Sequence, residues 1–113
     1  MMEIANARIT KVKVGFDARD RLSARITFKS QYGCCDWDFI LSNPVDVQRL
    51  RKLMNYTDAI ELKDLNGKII RKVDLNFRIH GFGHPIEDKF VPIFTDEFTE
   101  ISEAELETML ASK

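Results

Sequence analysis

Residues 65–94 read LNGKIIRKVDLNFRIHGFGHPIEDKFVPIF, and they hold three of the five glycines, two of the three prolines and both histidines of this 113-residue chain. Asn66-Gly67 is the strongest turn signal in the sequence. After it, Ile69, Ile70 and Val73 predict a strand, Asp74-Leu75-Asn76 a link, and Phe77, Ile79 and Gly81 a second strand. Gly81 and Gly83 flank Phe82, which points to a bulge or a near approach of another backbone. His84 precedes Pro85 and is therefore expected to be extended. Residues 84–95 then read as an ordered loop held by Phe90, Ile93 and Phe94.

Upstream, residues 4–16 read as a strand whose apolar phase slips near Thr10 and Lys11. Ala7 and Ile9 share one parity, and Val12, Val14 and Phe16 share the other, so a bulge there keeps both sets on one core. The polar turn Asp17-Ala18-Arg19-Asp20 leads to Leu22, Ala24, Ile26 and Phe28, which alternate with polar residues as a half-buried strand does. A further turn, Gln31-Tyr32-Gly33, leads to Cys35, Trp37, Phe39 and Leu41 on one face, with Asp36 and Asp38 on the other. Trp37 is expected in the core. Ser42-Asn43-Pro44 marks a helix start, because Ser or Asn caps free N–H groups and proline suits the first helical position. Val47, Leu50, Leu53 and Met54 continue at helical spacing. Asn55 is the expected stop, and Ile60, Leu62 and Leu65 are expected to pack inward from a short turn after it.

Downstream, Ser102 and Glu105 form the S-x-x-E capping box, with Ile101 placed to staple onto Leu106. Leu106, Met109 and Leu110 supply an apolar stripe. From Phe90 through Ser112 there is no Lys or Arg, while Asp96, Glu97, Glu100, Glu103, Glu105 and Glu107 are acidic. The predicted architecture is α+β, one domain over residues 1–113: an antiparallel sheet of about five strands, a helix between the third and fourth, and a short C-terminal helix.

Composition bounds the function classes. Apolar residues make up 44% and charged residues 31%, which suits a chain with one packed core and argues against global disorder. The net charge of -1 disfavours a dedicated nucleic-acid or membrane-surface protein. Charge is uneven, however. Residues 1–52 carry ten Lys or Arg against six Asp or Glu, and residues 53–113 carry seven against twelve. Such a dipole steers a charged partner, although an ordinary solvated surface has the same composition. Cys34 and Cys35 are adjacent and point to opposite faces of a strand, so a stabilising disulfide is not expected. The start MMEIANARIT has no apolar leader core, and no apolar run approaches the length of a bilayer span. These features predict a cytosolic setting.

The run L-x-G-K at residues 65–68, a basic strand, and then G-H-x-x-x-D-K-F at 83–90 resemble a pattern in small proteins encoded by phages and prophages. The resemblance covers most of the chain and is strongest in its second half. It implies an accessory phage protein at work inside a bacterium, in the host cytosol, and no established activity. The Gly-His and Asp-Lys residues of the pattern suit a structural signature as well as a site.

Four chemistries compete. His80, His84, Cys34 and Cys35 have ligand types for zinc, but adjacent cysteines diverge and the histidines fall on a strand and its end, so no metal and no cofactor is expected. His84 with Asp88, or Asp36 with Asp38, has the chemistry of an acid–base pair. Neither a phosphate loop nor a nucleophile elbow accompanies them, and a non-enzyme is expected. Lys11, Lys13, Arg21, Arg25 and Lys29, with Tyr32 nearby, outline a basic face for nucleic acid. Most aromatics fall at inward positions, so nucleic acid is the less favoured partner. The preferred reading is a protein that binds a bacterial macromolecule, a host protein above all, with blockade of a host defence system as one form. Its binding residues are then His84, Asp88 and Lys89 in the loop and Glu100, Glu103 and Glu107 in the acidic tail. The alternative is a small-ligand or nucleotide binder that uses the loop from His80 to Lys89. Oligomeric state is not legible in the sequence.

Overall fold

The structure is a computed structural model, and it describes residues 2–112. Strands β1 (Met2–Phe16), β2 (Leu22–Ser30) and β3 (Gly33–Ile40) form an antiparallel meander. Helix α1 (Pro44–Thr57) and a 3-10 turn (Leu62–Leu65) lead to β4 (Ile69–Leu75), β5 (Arg78–Gly83) and the short β6 (Phe90–Pro92), and α2 (Glu103–Ala111) ends the fold. All six strands belong to one curled antiparallel sheet of order β3-β2-β1-β4-β5-β6. The fold is α+β as expected, with both helices in the expected places. The sixth strand arises within the stretch expected to be a loop.

β1 is shared. Its residues 2–8 pair with β4 and its residues 8–16 with β2. The register with β2 shifts between Ile9 and Lys11, the bulge that the change of parity predicts. At that point Ile9 takes up the Asn66-Gly67 turn instead: Ile9 N donates to Lys68 O (2.9 Å) and Gly67 N to Ile9 O (2.7 Å). Asn66-Gly67 therefore does not close a hairpin between two neighbouring strands; it seats the start of β4 against the bulge.

Successive residues on a strand face opposite ways, and the sheet uses both faces. On the inner face Ala7, Ile9, Ile26, Phe28, Ile70, Phe82 and Val91 pack with Leu50, Leu53 and Tyr56 of α1. On the outer face of the β4–β6 half, Val73 and Phe90 pack with Leu106 and Leu110 of α2, joined by Ile4 and Ile101. The outer face of the β1–β3 half carries neither helix.

Local signals explain the helices. The Asn43 side chain accepts from Val45 N (2.9 Å) and Asp46 N (3.3 Å), with Pro44 behind it at the first position. α1 runs past Asn55 and ends at Asp58, whose left-handed φ of 57° terminates it. In α2, Ser102 Oγ accepts from Glu105 N (3.2 Å) while Glu105 Oε1 accepts from Ser102 N (3.1 Å), the reciprocal capping box.

Three apolar residues sit differently from expectation. Ile60 does not pack inward; it is 89% exposed. Phe77 does not open β5. Asn76 and Phe77, with φ of 52° and 64°, form the two-residue turn between β4 and β5, and Phe77 is 88% exposed at its tip. Asp74 and Leu75 accordingly belong to β4. Trp37 is half-buried: it packs against the inner core yet reaches the open edge of β3. No helix among the described residues is long and apolar enough to cross a membrane.

Candidate functional site

Gly81 and Gly83 make the approach of β6 possible. A Cβ on Gly81 would lie 2.8 Å from Val91 O, and a Cβ on Gly83 would enter the Phe90 ring. The chain between Gly83 and Phe90 is folded tightly by its own polar groups. His84 N donates to Lys89 O (2.8 Å), and His84 Nδ1 accepts from Ile86 N (3.0 Å) and Glu87 N (2.9 Å). With Nδ1 an acceptor, the neutral ring carries its proton on Nε2, which faces Glu87 Oε2 at 3.8 Å. Arg71 stacks 4.6 Å above the Phe90 ring and donates through Nε to His84 O (2.6 Å) and through a terminal nitrogen to Glu87 O. Asp88 turns away from His84. Its Oδ1 accepts from Glu103 N (2.7 Å), which satisfies an otherwise free donor at the start of α2. Phe90 and Ile101 exchange both backbone hydrogen bonds. Most of the G-H-x-x-x-D-K-F pattern is thus occupied in fixing β6 and α2.

Beside this loop, a group of charges surrounds Tyr56. Its ring meets His84 edge-on at 5.3 Å and Phe82 at 6.0 Å, and its hydroxyl donates to Glu100. Lys52 Nζ lies 3.4 Å from the same carboxylate. Burial, reinforced by the Glu100 carboxylate, pushes the Tyr56 hydroxyl far above the ordinary phenol range. Tyr56 is therefore a permanent hydrogen-bond donor, not a base. Lys89 pairs with Glu87 at 3.0 Å, which holds the Glu87 carboxyl below and the Lys89 ammonium above their usual values. Both are exposed to water, where such a pair contributes little.

Of the six residues singled out in the sequence, His84, Lys89 and Glu100 share this cluster. Asp88 is committed to α2. Glu103 and Glu107 are exposed on α2, one turn apart, and Leu106 and Leu110 form its buried side. Cys34 is exposed and Cys35 half-buried on the other face of β3, while His80 Nδ1 lies 2.9 Å from Arg78 O. Among the described residues, no three His, Cys, Asp or Glu gather as a metal-binding group.

No family model, curated protein or solved structure matches the chain.

One polar feature escaped the sequence reading. Lys72 and Asp74 stand in phase with Ile70 on the inner face, and both are buried, with Lys72 only 1% exposed. Their charged atoms are 3.4 Å apart, and Lys72 Nζ also donates to Gly33 O (3.1 Å). Burial raises the Cys35 thiol above its usual value, with Lys72 opposing in part, so the thiol is not activated. The alternation Ile70-Lys72-Asp74 was the available signal, since it puts charges at inward positions. Of the basic face outlined in the sequence, Lys11, Lys13, Arg25 and Lys29 stand together on the outer face of β1–β3, while Arg21 pairs with Asp17 in the turn before β2. The register sets Arg8 opposite Lys29 and Lys13 opposite Arg25, and these residues and Lys11 are exposed. Arg25 is held by Asp38 at 2.8 Å and 3.2 Å, Thr27 donates to Asp36 (2.7 Å), and Arg8 donates to Gly67 O (3.2 Å). Lys11, Lys13 and Lys29 have no ion-pair partner among the described residues.

Proposed function

We propose that the chain is a non-enzymatic accessory protein of the phage or prophage type. It acts in the bacterial cytosol and occupies the surface of a host protein, as an inhibitor of a defence system does. The observation that carries this reading is the bare outer face of β1–β3. Like charges directly across a ladder are unfavourable, and Arg8 with Lys29 and Lys13 with Arg25 are two such pairs on one uncovered surface. An acidic surface laid against this face removes that repulsion and gains steering from the charge asymmetry of the chain. The Tyr56 hydroxyl donates to Glu100, and burial with that carboxylate holds it above the ordinary phenol range, which fits a binding role better than a base.

The test is a pull-down from nuclease-treated bacterial lysate, with the wild-type chain beside Lys11→Glu/Lys13→Glu/Lys29→Glu. A protein retained by the wild type, lost from the variant and released by salt supports the reading. Equal retention by both chains rejects the basic face. Capture that disappears on nuclease treatment replaces the host protein with nucleic acid.

A second reading, a small-ligand or nucleotide binder, is favoured by one feature of the loop. His84 Nε2–H and the Lys89 ammonium both face the Glu87 carboxylate, whose place an anionic group of a ligand would take. Mass spectrometry of material released from the purified protein tests it: an anionic small molecule supports the reading, and its loss in His84→Ala places it at the loop.

A further inference from the structure

β3 is the end strand of the sheet, and its outward side is a built acceptor for another strand. Leu41 N donates to Leu22 O at 3.0 Å, in register with Ser23 opposite Ile40 and Ala24 opposite Phe39. Bonded pairs alternate along an antiparallel ladder. Cys35, Trp37 and Phe39 therefore turn their backbone groups toward β2, and Cys34, Asp36, Asp38 and Ile40 turn theirs to the edge. Ile40 agrees with this: its N–H is taken from the edge side by the Asp46 carboxylate at 2.9 Å. The N–H groups of Cys34, Asp36 and Asp38 have no protein acceptor among the described residues. At the other end of the strand the turn from β2 precedes Gly33, whose backbone groups face β2 by the same alternation. The open part of the edge is therefore short and bounded.

Alongside it runs a groove of about 580 Å³, bordered by Asp36, Trp37, Asp38 and Arg21. Trp37 stands on the inner side of this edge, and its indole nitrogen is enclosed without an acceptor. A buried indole N–H ordinarily finds one. On the outer side Asp36 accepts from the Thr27 hydroxyl and has no ion-pair partner of its own among the described residues, with Arg25, which Asp38 holds, as the nearby cation.

We infer that the β3 edge binds an extended peptide segment of a partner protein by strand addition, and that this segment alternates Lys or Arg with apolar residues. The backbone of the segment meets the open N–H and C=O groups of Cys34, Asp36 and Asp38. Its basic residues fall on the outer face beside Asp36 and Asp38, and its apolar residues fall inward on Trp37 and Cys35. A second copy of this chain is the wrong occupant. Two β3 edges placed side by side set the carboxylates of one strand against those of the other, which is how edge strands discourage self-pairing. This site adjoins the basic face of β1–β3 at the Arg25–Asp38 pair, but it rests on the backbone edge of β3 and not on Lys11, Lys13 or Lys29.

The experiment titrates the full chain with blocked octapeptides that alternate Lys with Val or Glu with Val. Trp37, the only tryptophan, reports by fluorescence, and amide hydrogen exchange reports on the edge. The Lys/Val peptide should bind saturably, shift the Trp37 emission and slow exchange at Asp36 and Asp38. Methylation of the peptide nitrogens in one alternating set should weaken it about tenfold, the worth of one or two hydrogen bonds, and in the other set should leave it unchanged. Asp36→Lys, an exposed change, should reverse the preference in favour of the Glu/Val peptide. Absence of binding by either peptide, binding indifferent to both methylation sets, or binding without protection of Asp36 and Asp38 overturns the inference. Dimerisation of the peptide-free chain through β3, read as concentration-dependent protection of the same amides, overturns it too.

Discussion

Lys72 Nζ donates to the carbonyl of Gly33 across 3.1 Å, and so ties the fourth strand to the first residue of the third. The two strands are separated in the sheet by β1 and β2, so this contact spans the concave side of the curl. The same ammonium faces Asp74 at 3.4 Å, in surroundings where both side chains are closed to water. Removal of one member of a buried pair strands the other charge, and that costs about 3–5 kcal/mol. Lys72→Met should fall in this range by urea unfolding. Lys72→Met/Asp74→Leu should recover most of the loss, because no lone charge remains. Equal instability of the single and double variants would mean that the Gly33 contact, and not the charge pair, matters.

Gly83→Ala should destabilise the chain by about 1–3 kcal/mol, the usual cost of an added methyl group in a filled space. The methyl group would enter the Phe90 ring, and Phe90 in turn holds Ile101 through the backbone. Amide exchange should therefore quicken at Phe90, Ile101 and α2 more than in β1–β3. Uniform acceleration along the chain would contradict this local account.

The uncovered cations should reduce stability in the free protein. Lys13→Glu places a carboxylate opposite Arg25, and Lys29→Glu places one opposite Arg8. Each change should raise stability by about 0.2–1 kcal/mol, with the gain shrinking in salt. Thermal melts in low and high salt measure this. A loss of stability in either variant would show that these lysines already have favourable surroundings.

The acidic residues near the C-terminus should separate into two kinds. Glu103→Gln/Glu107→Gln keeps size and helix propensity on an exposed face, and stability should stay within about 0.5 kcal/mol. Glu100→Gln removes the charge that holds Tyr56 and Lys52 and should cost about 1 kcal/mol or more. Parallel behaviour of all three in denaturant titrations would disprove the division.

Asp17 offers a pH test. Backbone N–H donation from Arg21, with help from its side chain and from Arg19, holds this carboxyl below the ordinary aspartate value. A lowered carboxyl stabilises the fold above the unfolded-state value of 3.8, and this contribution is lost as pH falls through the lower folded-state value. The stability difference between wild type and Asp17→Asn should hold from pH 7 to about pH 4 and vanish below it. Asp17 should also titrate below ordinary aspartates by NMR.

What the sequence made legible were features written in local chemistry. The parity change between Ile9 and Val12 requires a bulge, and one is found. Asn43-Pro44 and Ser102-x-x-Glu105 can cap a helix in only one way each, and both do. Legibility ended where a residue answers to something distant. Asn76-Phe77 carries no glycine, and a phenylalanine at positive φ is not a turn signal, so the link was set too early, at Asp74-Leu75-Asn76, and Phe77 passed for the start of a strand. Phe90–Pro92 is too short to show a period. Lys72 and Asp74 look like surface charges until β3 is brought round to meet them. Of the candidate site, His84 was visible as a residue before proline, but its role as acceptor for two N–H groups depends on the path of the loop. Glu100 looked like one of a run of acids because Tyr56, its donor, lies 44 positions away.

The divided pairing of β1 has a consequence for the order in which the fold is completed. Its C-terminal part meets β2 across a five-residue turn, whereas residues 2–7 wait for β4, which begins at Ile69. Contacts that close short loops form early, and contacts that close long ones form late. During synthesis β1 leaves the ribosome before β2 and β4, yet residues 2–7 have no ladder partner until β4 has followed.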